Sequence, residues 1–180
     1  MSVATVDVHP QLVELTASDR IGLKGRGSAA WLAARGLELP AAPNRLAARA
    51  DGLVVARYGK AEFAIAELGG SSTGAVAELR RRLAETRPAA CYPVPRNDGQ
   101  AVFELTGNRA LPALSMVCPA DLRPKAFRPG DVLQTLCAGV GAQIWNLSMG
   151  ESTRIVVLCD ITVRQHQLAA LNAAMIASDA

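Results

Sequence analysis

The sequence predicts an α+β protein made of two similar halves, and three observations carry that prediction. Short apolar runs of strand length alternate with amphipathic stretches of helical period. One order of elements, strand, glycine, helix, proline-rich loop, hairpin and helix, occurs twice along the 180 residues, at about 19–90 and 100–177. The composition, 50% hydrophobic and 19% charged, is that of a well-buried folded chain. One half is too small to bury both faces of its own sheet, so the halves are expected to pack into a single α+β unit over 19–180, preceded by an N-terminal arm over 1–18.

The elements follow in order. Residues 1–11 read as a loose arm, and Leu12-Val13-Glu14-Leu15 as a short strand. Ile21 to Lys24 alternates as a strand does, and Gly25-Arg26-Gly27 breaks it. Ser28 is placed to cap a helix through Arg35, ended by Gly36. Leu39 to Arg49 holds two prolines and reads as loop, without a strand. Leu53–Tyr58 and Glu62–Leu68 form a hairpin around Gly59-Lys60. Gly69-Gly70-Ser71-Ser72 is a loop. Thr73 caps a helix with Val76, Leu79 and Leu83 on one face, fading near Arg87-Pro88.

The plan restarts after Pro93-Val94-Pro95. Ala101–Leu105 is a strand, Gly107 breaks it, and Asn108 caps a helix through Met116. Cys118 to Gly130 is a proline-bounded loop. Asp131–Ala138 and Ala142–Leu147 flank a turn at Gly139-Val140-Gly141. Arg154–Asp160 is a β-branched strand, and Thr162 caps the last helix. In the repeat, Ile21–Gly25 aligns with Phe103–Gly107, the Gly59 hairpin with the Gly139–Gly141 hairpin, and the helix after Thr73 with that after Thr162.

Little of the chain points to chemistry. A net charge of +3 is too weak and dispersed for nucleic acid, and Arg80-Arg81-Arg82 reads as a solvated helix face. Cys91, Cys118, Cys137 and Cys159 form no C-x-x-C pair, and His9 and His166 stand alone, so no metal-ligand spacing exists. The start of the chain lacks a basic, apolar signal segment, and no stretch is apolar for ~18 residues, the span a membrane helix needs. A cytoplasmic chain with reduced thiols is expected. Gly25-Arg26-Gly27-Ser28-Ala29-Ala30 fits G-x-G-x-x-A, but the region that should supply the acid-ended second strand of a dinucleotide fold is the proline-rich loop. Gly25 and Gly27 are therefore read as a turn needing positive φ or close packing. Glu104 and Asp160 are the two carboxylates inside apolar strands. No G-x-S-x-G elbow occurs. The reading is a non-catalytic chain whose apolar surface is covered by a partner.

Several runs also resemble a known family. They are Arg20 to Leu32, the Leu39-Pro40-Ala41-Ala42-Pro43-Asn44 loop, Cys118-Pro119-Ala120-Asp121-Leu122-Arg123-Pro124 with Phe127, then Gln134-Thr135-Leu136 and Ile144-Trp145. Together these resemble the gamma subunits of heterotetrameric sarcosine oxidases, over roughly Arg20 to Leu171. That family is related to the aminomethyltransferase, folate-binding domains of the glycine cleavage system. The resemblance implies a fold of two pseudo-repeated ferredoxin-like halves. It implies an accessory subunit with no catalytic, cofactor-binding or metal-binding residue of its own, docked on an alpha subunit with beta and delta subunits in the same complex. FAD, FMN, NAD and tetrahydrofolate are expected on the partner subunits, where sarcosine is oxidatively demethylated. Pro119, Asp121, Leu122, Arg123 and Phe127 are the partner-contact candidates. The alternatives are a stand-alone tetrahydrofolate-binding or aminomethyltransferase-like protein, with Glu104 and Asp160 as the acids to hold a pterin, or the equivalent subunit of an N-methylglutamate dehydrogenase-like complex.

Overall fold

A computed structural model describes residue 9 and residues 11–69, 73–86 and 88–178. Most of the arm expected over 1–11 and the Gly70-Ser71-Ser72 part of the loop lie outside the described residues. Among the described residues, ten strands and four α-helices run β1 Leu12–Glu14, β2 Arg20–Lys24, α1 Ser28–Ala33, β3 Arg45–Ala48, β4 Leu53–Gly59, β5 Glu62–Glu67, α2 Ala75–Thr86, β6 Tyr92–Pro95, β7 Gln100–Thr106, α3 Ala110–Val117, β8 Val132–Cys137, β9 Val140–Asn146, β10 Arg154–Asp160 and α4 Arg164–Ala177, with a 3-10 turn at Ile161–Val163.

The strands form two antiparallel five-stranded sheets, ordered β3-β4-β5-β2-β6 and β8-β9-β10-β7-β1. Setting β3 aside, β2-α1-β4-β5-α2-β6 is a ferredoxin-like unit of strand order 4-1-3-2. The second unit, β7-α3-β9-β10-α4, takes its fourth strand from the start of the described chain: β1 pairs with β7, Val13 opposite Glu104. The segment expected as an arm thus contains a strand of the second half's sheet.

Period-two alternation sorts the side chains into three layers. Leu53 and Val55 of β4 and Phe63 and Ile65 of β5 pack under α1 and α2 with Trp31, Leu32, Val76, Leu79 and Leu83. Phe103, Leu105, Ile155, Val157 and Cys159 pack under α3 and α4 with Leu114, Leu171 and Met175. The opposite faces, Val54, Ala56, Tyr58, Ala64 and Ala66 against Val102, Trp145, Val156 and Leu158, meet between the sheets. Central strands are covered on both faces, so they read as continuous apolar runs. Trp145 is fully buried, and its Nε1–H donates to the Tyr58 hydroxyl at 3.2 Å.

The structure corrects several sequence expectations. Arg45–Ala48 is a strand although Arg and Ala are poor strand formers. Its position is set by tertiary pairing: Leu46 N–H donates to Gly130 O, Val132 N–H to Asn44 O, and Arg45 bridges Asp131, so the two sheets join along this edge. Tyr92–Pro95 is also a strand, and its two prolines are tolerated because β6 lies at a sheet edge. With β3 in place, the hairpin around Gly139 corresponds to β3–β4, and the Gly59 hairpin corresponds to β9–β10. Two equivalent hydrogen bonds show the register: Gly25 N–H to Ala61 O, and Gly107 N–H to Thr153 O. The Gly139 hairpin turns on Ala138 and Gly139, both at positive φ (52° and 80°), one residue earlier than the glycine pattern suggests. Three helix caps also differ. Ser28 is buried inside α1, Arg109 and not Asn108 precedes α3, and Asp160 accepts the Thr162 N–H at 2.8 Å. At α2, Gly74 directly precedes the helix, and the Ala75 N–H donates to Glu67 Oε1 at 2.9 Å and to the Thr73 hydroxyl at 3.3 Å, so Thr73 shares the cap with Glu67.

Candidate functional site

The loop after α3 carries the five partner-contact candidates, and the structure divides them by role. Leu122 and Phe127 point into the second half's core. Phe127 is tied from both sides: its N–H donates to Arg123 O at 3.0 Å, and buried Asn146 donates from Nδ2 to Phe127 O at 3.3 Å. Pro119, Asp121 and Arg123 face solvent. The Asp121 carboxylate accepts the Arg123 backbone N–H at 3.0 Å and its Nε and Nη2 at 2.8 and 2.6 Å. Those bonds, the guanidinium first, hold the Asp121 carboxyl at about 2. The loop is therefore a rigid surface ridge, pinned by two buried side chains and presenting a proline and an ion pair.

Beside the ridge lies a shallow cleft of about 610 Å³, lined by Pro119, Gln134, Leu136, Gln143, Gln100 and Asp160 among others. Gln134 and Leu136 share the β8 face of Val132, which packs between the sheets, yet both are exposed. Gln100 Nε2 donates to Gln143 Oε1 at 2.9 Å, and Gln134 Nε2 donates to Tyr58 O at 2.9 Å. Ridge and cleft meet at Pro119, and Leu136, half exposed, is an apolar spot in the cleft lining. Gln134 stands in the sequence only within the Gln134-Thr135-Leu136 run of the family resemblance, and Gln100 and Gln143 have no signal there, because isolated glutamines carry no spacing pattern.

The residues weighed for chemistry are occupied otherwise. Glu104 accepts Arg154 Nε at 2.6 Å in a half-buried ion pair. Asp160 lines the cleft, but its carboxylate accepts the Thr162 hydroxyl and N–H, which hold it below its ordinary 3.8. Cys137 and Cys159 are buried, and desolvation pushes both thiols up to about 11. His166 is exposed, with Nε2 2.8 Å from Ala138 O. Among the described residues, no group of three or more His, Cys, Asp or Glu is placed to hold a metal ion. No helix in the described residues is long and apolar enough to cross a membrane.

The G-x-G-x-x-A turn has a packing role. A Cβ on Gly25, at φ 125°, would lie 2.2 Å from Ala90 O, and one on Gly27 would lie 2.2 Å from Ala89 O. The amides that a pyrophosphate would need already donate: Gly25 to Ala61 O, Gly27 to Ala90 O and Ser28 to Gly25 O. Gly107 repeats the arrangement at φ 81°, against Gln11.

A feature without a sequence signal sits where the two linkers cross. Arg20 is 2% exposed, and its guanidinium donates to six carbonyl oxygens: Leu15, Thr16 and Ser18 before β2, Arg96 and Asn97 before β7, and Gln100 at the start of β7. It holds the two halves together through their connecting segments.

No protein-family model matches the chain. Two curated relatives do. One, sarcosine oxidase subunit gamma of an Arthrobacter species, is 32% identical over 139 residues, covering 74% of this chain and 66% of the relative. The other, sarcosine oxidase subunit gamma of Corynebacterium sp. strain U-96, is 31% identical over 147 residues, covering 74% and 65%. The chain thus spans a little under two thirds of the length of these relatives. Among solved structures, heterotetrameric sarcosine oxidase from Corynebacterium sp. U-96 contains a chain that superposes with a TM-score of 0.76 at 26% identity, over 96% of this chain and 89% of that one. The glycine cleavage system aminomethyltransferase of Bartonella henselae superposes at 0.64 with 13% identity, over 89% of this chain and 44% of that one, a likeness of fold. The resemblance in the Cys118–Phe127 loop and the doubled ferredoxin-like sheets agree with these matches, and the chain belongs to the sarcosine oxidase gamma-subunit family.

Proposed function

We propose that the chain is a non-catalytic accessory subunit of a sarcosine oxidase-like flavoenzyme complex, docked on an alpha subunit in company with beta and delta subunits. In that complex sarcosine is oxidatively demethylated to glycine, with hydrogen peroxide and formaldehyde or methylene-tetrahydrofolate as the other products. FAD, FMN, NAD and tetrahydrofolate belong to the partner subunits. The observation that carries the reading is the superposition of 96% of this chain on one chain of a heterotetrameric sarcosine oxidase.

The folate-type fold has here a filled interior. Trp145 and Tyr58 occupy the layer between the sheets, and Glu104 is spent on Arg154. The docking face is the ridge and cleft: Pro119, Asp121 and Arg123 touch the partner, while Leu122 and Phe127 fix the ridge from below. Co-expression with an alpha subunit and affinity capture of this chain tests the reading. Flavin-bearing partners should co-purify, and Arg123→Glu combined with Leu136→Asp should weaken capture without lowering the melting temperature. A chain that ignores the alpha subunit, or that alone binds tetrahydrofolate at micromolar concentration, would overturn it.

A further inference from the structure

On the helix side of the first half a small pocket of about 170 Å³ opens between the end of α1 and the first turns of α2. Leu53 and Leu79 line it together with three arginines, Arg35, Arg49 and Arg82, and the carboxylate of Glu78. The charges do not balance. Glu78 is shared between Arg81 and Arg82, Glu85 pairs with Arg81, and Asp51 pairs with Arg49. Among the described residues, four guanidiniums here thus meet three carboxylates, and Arg35 is the one without an ion pair.

Arg35 is also held ready. Its guanidinium lies 3.7 Å from the centre of the Trp31 ring. Its Nη1 donates to Trp31 O at 2.8 Å, which anchors one end of the group. Nε is buried without a partner, and Nη2 makes no hydrogen bond among the described residues. The Nε–Nη2 edge of a guanidinium is the two-donor fork that matches a carboxylate or a phosphate. Leaving the buried Nε donor unpaired is costly, and an anion on the fork would remove that cost.

We infer that this pocket binds one small oxyanion, a carboxylate or a phosphate, on the Nε–Nη2 fork of Arg35 with Arg49 and Arg82 beside it. Its volume lies below the ~300 Å³ where pockets for drug-sized ligands begin, so the ligand is a single anionic group and not a nucleotide. Glu78 opposes any anion, but it is turned to Arg81 and Arg82 and leaves Arg35 free to act. The inference does not depend on assembly with a partner.

Equilibrium dialysis of the full chain against labelled orthophosphate, at ionic strength matched with chloride, tests it, with acetate as the second ligand. One saturable site per chain is expected. Preference for phosphate identifies a free tetrahedral anion, and preference for acetate identifies a carboxylate. Arg35→Gln should weaken binding at least tenfold. Arg35→Lys, which keeps the charge and the stem over Trp31 but has no fork, should weaken it at least fivefold, and Arg26→Gln, exposed and outside the pocket, should leave it unchanged. Absence of saturable binding for both anions, or binding by both Arg35 variants equal to that of the wild type, would overturn the assignment.

Discussion

Replacing Arg20 by Met tests how the two halves are joined. Methionine fills much of the same volume and removes every donor. Three of the six carbonyls, Ser18 O at 2.6 Å and Thr16 O and Gln100 O at 3.0 Å, make the shortest bonds and lose the most. Hydrogen bonds to a charged group are worth about 1.5–3 kcal/mol each, which points to a gross loss of about 6 kcal/mol. Part of it returns, because burial disfavours the guanidinium and works against its pKa more than neighbouring Asp19 supports it. The net expectation is a destabilisation of about 3–4 kcal/mol, a large share of the ~5–15 kcal/mol typical of a domain. Arg20→Lys, whose single ammonium cannot span both linkers, should cost about half as much. Equilibrium urea unfolding of wild type and both variants measures this. A cost under about 1 kcal/mol for Arg20→Met would refute the idea that the carbonyl cage joins the halves.

Further expectations follow from the same geometry. Gly25→Ala places a Cβ 2.2 Å from Ala90 O at φ 125° and should destabilise by about 2–4 kcal/mol in the same urea assay. Ala138→Asn, at φ 52° in a turn with Gly139, should raise stability by about 0.5–1 kcal/mol, read as a higher melting temperature. A thiol reagent should find Cys91, Cys118, Cys137 and Cys159 silent in the folded chain and all four reactive in urea, since all are buried. Asp19 and Glu14 are held below their ordinary 3.8 and 4.5, by Arg80 and Arg164 first. A depressed carboxylate adds stability that is fully present above its unfolded value and fades as pH falls through the folded one. The urea midpoint should therefore drop as pH is lowered below about 4.5, and Asp19→Asn should flatten that drop.

Much of the fold was legible before any coordinate. The apolar runs in Leu53–Tyr58 and Arg154–Asp160, the Val76-Leu79-Leu83 spacing and the glycine breaks at Gly25 and Gly107 are local patterns, and local patterns are written in consecutive residues. The two missed strands failed for a reason outside that range. Arg45–Ala48 and Tyr92–Pro95 have poor strand composition and exist because a neighbouring edge supplies their hydrogen bonds. Missing β3 then shifted the hairpin alignment of the repeat by one element. At the candidate surface, the loop segment was legible as a segment, but which of its side chains face out was not. Leu122 and Phe127 look like their neighbours in a list, and only the packing under α3 and α4 sends them inward.

The sequence by itself determined that this is a duplicated α+β chain of the gamma-subunit kind, with glycines that serve a turn or close packing. The tertiary structure alone decided that β1 joins the second half's sheet, that Arg20 binds the crossing linkers, and that Pro119, Asp121 and Arg123 stand beside an open cleft. These depend on contacts between residues far apart in the chain, such as Arg20 with Gln100 or Val13 with Glu104. No local pattern encodes such contacts, because their energy comes from the partner that folding brings near.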